Sequence, residues 1–256
     1  MTAQIYHPAG GIFGKARRLA ARMEARRLVT VKPDRPIVSF SFDDFPQSAA
    51  TTGAELLEAR GWRGTYYASA GFAGGKNHLG RMYDIADLHR LHRDGHEIGC
   101  HTYAHDDAAR MDNDALLAEV ERNQRCLTIA GHEAKLRSFA FPFGEASGAA
   151  KRTLSGRFSA LRGVRPGVNR GEADFNLLKA VSLDGGEAGL KRALSWVKDA
   201  AQRPGWLILF GHDVREQPGE WGCTPDFLRN VIEAVSAIDA EVMTVADAAE
   251  RFAGQP

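Results

Sequence analysis

Residues 37–45 read IVSFSFDDF, a β-rich run that ends in two adjacent carboxylates. From Ser39 to Phe42 polar and apolar residues alternate, as in a strand with one buried face. Like charges at this spacing repel, and burial at the end of an apolar strand would raise the pKa of both carboxyl groups. Asp43 and Asp44 therefore either begin an ordinary turn, where Asp is common, or belong to a site that requires two carboxylates.

Short β-rich segments and helical segments alternate along the rest of the chain. The predicted strands are 37–42, 64–69, 96–101, 136–141, 157–162, 177–183, 206–211 and 241–245. The predicted helices are 48–60, 84–94, 113–130, 145–155, 187–202, 224–238 and 246–252. This alternation predicts parallel strands joined by right-handed crossovers, in a barrel or a doubly wound sheet. In both architectures active sites lie at the carboxyl ends of the strands, so the residues just after each strand are the candidates.

The composition is that of one large α/β domain. Of 256 residues 44% are hydrophobic and 25% charged, and the formal net charge of +1 gives no support for nucleic-acid binding. The three cysteines are far apart, odd in number and without a CxxC pair, which predicts reduced thiols. No apolar stretch approaches the roughly 20 residues of a membrane span, and the N-terminus lacks the residue order of a secretion signal. These features predict a cytoplasmic protein.

One segment breaks the even distribution of charge. Residues 14–32, GKARRLAARMEARRLVTVK, carry seven basic side chains against the single Glu24. A thin apolar stripe at helical spacing accompanies them: Phe13, Ala16, Leu19, Ala20 and Met23. The segment is either a helix outside the domain with solvated arginines, or a peripheral attachment to an anionic membrane through residues 14–30. We divide the chain into a basic helical extension, 1–35, and a main domain, 36–256.

Three histidines follow predicted strands, at the same end of the sheet as the aspartates. His101 and His105 come after the third strand, and a helical HxxxH would place both imidazoles on one face, close enough to hold one ion. His212 follows the seventh strand, in position for proton transfer. Behind the fourth strand, Pro142 and Gly144 shape a tight turn that can present a backbone N–H. Together with the paired carboxylates, these residues predict a metal site.

In this order the motifs resemble those of the polysaccharide deacetylase family, also called the NodB-homology family or carbohydrate esterase family 4. The family motif TFDD stands here as SFDD at 41–44, and HS/TxxH stands as HTYAH at 101–105. The family's Leu-x-His after an apolar strand appears as LFGH at 209–212, with one extra residue. The resemblance covers 36–245. It implies a single-domain distorted (β/α) barrel with seven strands and places the basic N-terminal helix outside it.

The resemblance also implies a reaction, the hydrolysis of an N-acetyl or other small acyl amide on a sugar. Asp44, His101 and His105 would bind one divalent metal, with Zn²⁺ as first choice and Co²⁺, Mn²⁺, Fe²⁺ or Ni²⁺ as alternatives. Asp43 would accept the proton of the attacking water, and His212 would protonate the leaving amine.

The same resemblance assigns the oxyanion and the substrate. The oxyanion would lie between the metal and a backbone N–H near Phe143, in the turn that Pro142 and Gly144 shape. The substrate would be an N-acylated sugar or glycan intermediate of surface-glycan biosynthesis. Four aromatic residues near the open end of the predicted barrel, where the carboxyl ends of the strands meet, are candidates either to stack on sugar faces or to be buried: Phe45, Tyr103, Phe143 and Trp221.

Two departures from the family pattern affect the predicted site. The motif RxPxG has Ala140 in place of its Arg, which in the family is thought to orient the catalytic Asp. Arg162, at the end of the fifth predicted strand, is our first choice for a substitute, and Arg165 is the second. The motif DxxDW is reduced to Asp184 and Glu187 at the right spacing, without a Trp, and we place both among the substrate-binding candidates.

Three other functions remain open on the sequence alone. An amide hydrolase with a non-sugar substrate would use the same groups. A catalytically silent carbohydrate-binding protein would explain the missing Arg at Ala140. A non-haem Fe(II) oxygenase also uses two His and one carboxylate, although its usual order is HxD followed by a distant His.

Overall fold

The computed structural model describes residues 10–254. Its strands are β1 Leu28–Val31, β2 Ile37–Asp43, β3 Thr65–Ala68, β4 Lys76–Asn77, β5 Gly80–Arg81, β6 Glu97–Cys100, β7 Ser138–Ala140, β8 Ala160–Arg162, β9 Gly171–Asp174, β10 Val181–Ser182, β11 Trp206–Gly211 and β12 Glu241–Val242. Its α-helices are α1 Gly11–Met23, α2 Ala54–Glu58, α3 Ile85–Arg93, α4 Asn113–Ile129, α5 Gly148–Ser155, α6 Gly186–Gln202, α7 Pro225–Ser236 and α8 Val245–Ala253. A π-helical turn, Ala49–Gly53, leads into α2.

Seven parallel strands form the centre of the fold, in the order β10-β11-β2-β3-β6-β7-β8. A parallel bridge between Arg162 and Leu178 brings the chain before β10 alongside β8, so the sheet curls toward closure. β12 adds a short parallel pairing to the start of β2. The predicted distorted seven-stranded barrel is therefore confirmed, and each of the eight predicted strand segments overlaps one of the seven strands or β12.

β2 lies in the middle of this sheet, between β11 and β3. All seven of its residues are buried, so the expectation of a half-buried strand is wrong. Strands of a parallel sheet are covered on both faces, and the two serines in β2 satisfy their hydroxyls internally. Ser39 accepts a hydrogen bond from Trp206 Nε1 at 2.9 Å, and Ser41 donates to the Leu209 carbonyl at 3.1 Å.

The basic N-terminal segment is tied to the barrel from outside it. β1 pairs antiparallel with β9, a pairing that the sequence did not predict. The expectation of solvated arginines on α1 is wrong for Arg17 and Arg18, because both bind the buried carboxylate of Glu145 at 2.9 and 2.8 Å. Residues 1–9 of the predicted extension lie outside the described residues. Within residues 10–254 no helix has the length and apolarity needed to cross a membrane.

Candidate active site

The predicted metal ligands come together at the carboxyl ends of β2 and β6. One ligand atom each from Asp44, His101 and His105 lies within 4.8 Å of the other two. Asp44 Oδ1 is 3.7 Å from His101 Nε2 and 3.3 Å from His105 Nε2. The stretch 101–105 is an irregular loop and not the helical turn considered for HxxxH. The loop brings the two imidazoles together instead, with ring centroids 4.8 Å apart.

Both histidines are held in the protonation state that a metal ligand needs. The Nδ1 of His101 lies 2.8 Å from the Ala140 carbonyl, so we assign the proton to Nδ1, which leaves the Nε2 lone pair facing Asp44. Burial lowers the pKa of His101 to about 4 and that of His105 to about 4. Both rings are therefore neutral near pH 7, and neutral imidazole is the form that binds metals.

Asp44 supplies a test of whether these residues fit a cation. Its Oδ1 is buried without a hydrogen-bond partner, and burial raises the pKa of the carboxyl group. A buried acceptor with no donor is costly, and a cation held between this oxygen and two imidazole nitrogens would remove that cost. Two His and one carboxylate form the donor set of catalytic zinc sites, which keep a coordination position open. The residues fit a divalent metal.

Backbone strain concentrates around the same residues. Four non-glycine residues with left-handed backbone lie at the site, at φ of 58–60°: Asp44, Thr102, His105 and Phe143. Residues 10–254 contain only two others. Such conformations cost about 1–3 kcal/mol each and persist only where the surroundings hold them. Glu119 of α4 provides one such support, because its Oε2 accepts the amides of residues 103 and 104 at 3.1 and 2.8 Å.

Asp43 is bound by Arg162 inside the barrel. The Arg162 Nη2 lies 2.6 and 2.5 Å from the two carboxylate oxygens, and the arginine is fully buried. Burial alone would raise the pKa of Asp43, but the charge of Arg162 lowers it below the usual value, with smaller contributions from His101 and His212 when their rings are protonated. Asp43 is therefore an ionised, oriented carboxylate beside the candidate ligands, which is the state that a general base requires.

The strand register explains how Arg162 reaches the place of the missing motif arginine. β7 and β8 pair with Ala140 directly opposite Arg162. Side chains at paired positions of neighbouring strands point to the same face of the sheet. An arginine on β8 opposite Ala140 can therefore reach the Asp43 carboxylate that an arginine at position 140 would reach. The second choice, Arg165, is exposed on the loop after β8. The geometry therefore favours Arg162.

His212 follows β11 at the same edge of the sheet as the two aspartates, and its charged form contributes to lowering the pKa of both. Its Nδ1 lies 3.2 Å from the Trp221 carbonyl, so we assign Nδ1 as the donor and leave Nε2 for substrate. The loop that carries this carbonyl is held by the buried Asp213, whose Oδ2 accepts from Arg215 Nε at 2.6 Å and Gly219 N at 2.8 Å. The sequence pattern did not predict this role for Asp213.

The turn after β7, Pro142–Gly144, lies against the candidate ligands. The Phe143 ring packs edge-on against the His105 ring, with centroids 4.4 Å apart. Gly144 has φ of 67°, and a Cβ there would meet Val164 Cγ2 at 2.1 Å, so only glycine fits. The turn is thus fixed between His105 and the loop after β8.

The remaining predicted residues are not gathered at this centre. Asp184 accepts a hydrogen bond from Arg192 at 2.8 Å, and Glu187 forms an exposed ion pair with Lys191 on α6. Their roles in substrate binding stay predictions. Phe45 is fully buried and stacks on Tyr83, so it cannot stack on a sugar.

Among the other aromatic candidates, Trp221 is half exposed and Tyr103 is covered by the Arg122 guanidinium, 3.7 Å from the ring centroid. His78, between β4 and β5, was not predicted from the sequence. The charge of this residue contributes to lowering the pKa of Asp44 and of His105.

The sequence of the chain is similar to that of known deacetylases. Residues 30–155 match the family described as Polysaccharide deacetylase. A chitin deacetylase of Arthroderma benhamiae is 26% identical over 33% of this chain and 22% of its own length. A chitin deacetylase of Pestalotiopsis is 30% identical over 35% of this chain and 28% of its own length. The match thus spans about a quarter of these curated relatives.

Solved structures share the fold at low sequence identity. The chitin deacetylase of Colletotrichum lindemuthianum has a TM-score of 0.64 at 15% identity, covering 85% of this chain and 89% of that one. A family 4 acetyl xylan esterase of Clostridium thermocellum, solved with a cobalt ion, has a TM-score of 0.61 at 20% identity. It covers 86% of this chain and 93% of its own. These likenesses concern the fold.

Proposed function

The chain belongs to the polysaccharide deacetylase family, and we propose that it is a metal-dependent hydrolase that removes an N-acetyl or other small acyl group from a sugar. The observation that carries the proposal is the ionised Asp43 beside a buried cluster of Asp44, His101 and His105. An amide is a poor electrophile, so its hydrolysis needs an activated water and a stabilised oxyanion. This cluster combines the groups for both.

In the proposed reaction the paired aspartates have different tasks. When bound, a divalent cation supplies Lewis acidity to the acyl carbonyl and makes a nearby water more acidic. Asp43 accepts the proton of that water, because it is ionised and no candidate ligand atom belongs to it. Arg162 holds both oxygens of Asp43 and fixes the direction of its lone pairs. Asp44 serves as the carboxylate ligand.

Departure of the amine requires a second proton transfer. His212 donates this proton from Nε2, while the Trp221 carbonyl accepts from Nδ1 and stabilises the charged ring. The backbone amide of Phe143, in the turn beside His105, is the proposed oxyanion donor. One base and one acid with opposite duties give a bell-shaped pH dependence of kcat/KM.

The substrate that we propose is an N-acetylated glycan intermediate of surface-glycan biosynthesis, met in the cytoplasm. Two similar proteins are named chitin deacetylases, which supports an N-acetylated sugar. Three unpaired thiols, two of them buried, support a reducing compartment.

We expect acyl release from an N-acetylated sugar to depend on a divalent metal and on His101. A panel of free, nucleotide-linked and lipid-linked N-acyl sugars, with an O-acetylated xylan, would be assayed before chelation, after chelation and after Zn²⁺ addition. His101→Ala should lower metal content and activity together, because it removes one of three ligands. The matched control is His89→Ala, an exposed histidine on α3.

Three outcomes would contradict the proposal. Metal content unchanged in His101→Ala would refute the ligand assignment. Bound metal without acyl release from any sugar would favour a silent carbohydrate-binding protein. Acyl release from small non-sugar amides alone would favour the hypothesis of an amide hydrolase with a non-sugar substrate.

We also propose peripheral contact between α1 and an anionic membrane. Four apolar residues of α1 are exposed, with Phe13 at 91%: Ile12, Phe13, Leu19 and Met23. Of the seven basic residues in 14–32, Arg17, Arg18 and Arg27 are engaged by the protein, which leaves four for lipid. At about 1 kcal/mol each near an anionic surface, four charges with an apolar face give weak, salt-sensitive attachment.

Flotation with vesicles measures this attachment. The chain should float with phosphatidylglycerol vesicles at low salt and be released at high salt. Phe13→Glu should abolish flotation, whereas Ile129→Glu, at an exposed apolar residue of α4, should not. Equal flotation of Phe13→Glu and the unaltered chain would refute the contact.

A further inference from the structure

A basic cleft lies outside the barrel, between the end of α1 and the segment from β8 to β10. Its volume is about 210 Å³. Five cationic side chains line it, and we use the name basic cleft for this set: Arg22, Arg26, Arg165, Arg170 and Lys179. Two carboxylates, Glu172 and Asp174, also line it.

The acidic groups of the cleft are already engaged. Asp174 Oδ1 accepts the Arg27 amide at 2.9 Å, and its Oδ2 accepts from Lys151 Nζ at 2.7 Å. Glu172 accepts from the Thr30 hydroxyl at 2.7 Å. Only Arg170 of the five cations is paired, with Asp199 at 2.8 Å. The other four have no carboxylate partner among residues 10–254.

Lys179 shows the electrostatic consequence. Burial, followed by the charges of Arg165 and Arg170, lowers its pKa. Its ammonium group has one weak acceptor, the Val168 carbonyl at 3.4 Å. The buried Lys151 differs, because two carbonyls and a carboxylate surround it within 2.8 Å. The fold therefore compensates the charge of the buried Lys151 and leaves that of the partly exposed Lys179 to water or to a bound anion.

We propose that the basic cleft binds a phosphate group. Arginine guanidinium groups match phosphate oxygens in a two-pronged geometry, and a lysine adds a point charge. The volume is below the roughly 300–1,000 Å³ of a pocket for a whole drug-sized ligand, so the cleft takes the phosphate or diphosphate part of a larger molecule.

The cleft shares structural elements with the candidate active site. Arg165 follows Val164, the residue that packs on Gly144 of the turn beside His105. α1 contributes Arg22 to the cleft and binds Glu145, next to the same turn, through Arg17 and Arg18. Resting on the proposed function, we infer that the sugar substrate carries the phosphate, either as a soluble sugar phosphate or in a lipid-linked form.

Calorimetric titration with inorganic pyrophosphate tests the cleft without requiring turnover. At low salt the unaltered chain should bind, and Arg165→Gln with Lys179→Gln should weaken binding at least tenfold. Lys191→Gln, at an exposed lysine already paired with Glu187, is the control and should bind as before. Thermal unfolding checks that the double variant is folded. No binding at low salt, or equal binding by the double variant and the unaltered chain, would overturn the proposal.

Two further titrations distinguish the sources of phosphate. Binding of UDP-N-acetylglucosamine that is lost in the double variant identifies a soluble ligand. Binding of a short-chain, monomeric phosphatidic acid, lost in the same variant, identifies a lipid phosphate, because a monomeric lipid offers α1 no membrane surface. Both titrations use chain carrying Asp43→Asn, so binding is measured without turnover. Pyrophosphate binding in a chain that releases no acyl group would reject the proposed function and support phosphate binding by the cleft. Acyl release without pyrophosphate binding would support the proposed function and reject phosphate binding by the cleft.

Discussion

Asp43→Asn is expected to lower turnover by about 10²–10⁴ and to leave the metal content unchanged. A general base contributes roughly this factor, and the substitution removes the proton acceptor while keeping the size of the side chain. Metal content should persist because Asp44, His101 and His105 remain. The measurement is kcat on the best sugar substrate, together with the metal content of the same preparation.

Asp44→Asn is the matched comparison, one residue away and equally buried. It replaces the charged ligand and should lower metal affinity, with activity restored in part by excess metal. Equal loss of metal in both variants would refute the division of tasks between the two aspartates. Because Asp43→Asn leaves Arg162 buried without its counter-ion, a cost of about 3–5 kcal/mol, unfolding temperatures should accompany both measurements.

The alternating segments predicted a parallel sheet, as a barrel or a doubly wound sheet, because they constrain topology strongly, and the resemblance to the family favoured the barrel. Right-handed crossovers leave few arrangements for eight β-rich segments, and carboxyl ends of parallel strands must share one edge. The placement of Asp43, His101 and His212 follows from that edge. Asp43 ends β2, whereas Asp44 lies in the turn after it at φ of 58°. The sequence left open whether the pair begins a turn or belongs to a site with two carboxylates, and the pair does both.

Features formed by distant loops were not predictable from local pattern. The HxxxH loop is irregular because Glu119, 14 residues after His105, holds its amides, and no periodicity signals that contact. Glu145 was predicted only as the first residue of the helix 145–155, but it precedes α5 and anchors α1 through Arg17 and Arg18, 128 and 127 residues earlier. Arg162 was predictable because Ala140 stands where the family motif has an arginine, which leaves Asp43 in need of another arginine, and β8 is the next strand in the sheet.

Arg162→Ala is expected to lower kcat by about 10² with a much smaller change in KM, because a misplaced base affects the reaction more than binding. Loss of the Arg162 charge, the largest contribution that opposes burial, should let burial raise the pKa of Asp43 above its ordinary value. In the unaltered chain the lowered pKa contributes stability above the ordinary pKa, and this stability is lost as pH falls through the folded value. In the Arg162→Ala variant the contribution of Asp43 to stability depends on pH in the opposite direction, so the unfolding temperature should fall as pH rises through the raised pKa. The acid limb of kcat/KM should move to higher pH.

A change at the paired position separates a role in orienting Asp43 from general structural damage. Ala140→Arg combined with Arg162→Ala returns the arginine to the family's motif position on β7, opposite its present place on β8. We expect this double variant to recover part of kcat and most of the shift in the acid limb. Arg165→Ala, at the exposed arginine three residues along, should change neither kcat nor the position of the acid limb, and its effect through the basic cleft should appear in KM alone. A larger loss in Arg165→Ala than in Arg162→Ala, or an unshifted acid limb in Arg162→Ala, would contradict the assignment, because only a group that sets the charge of Asp43 moves that limb.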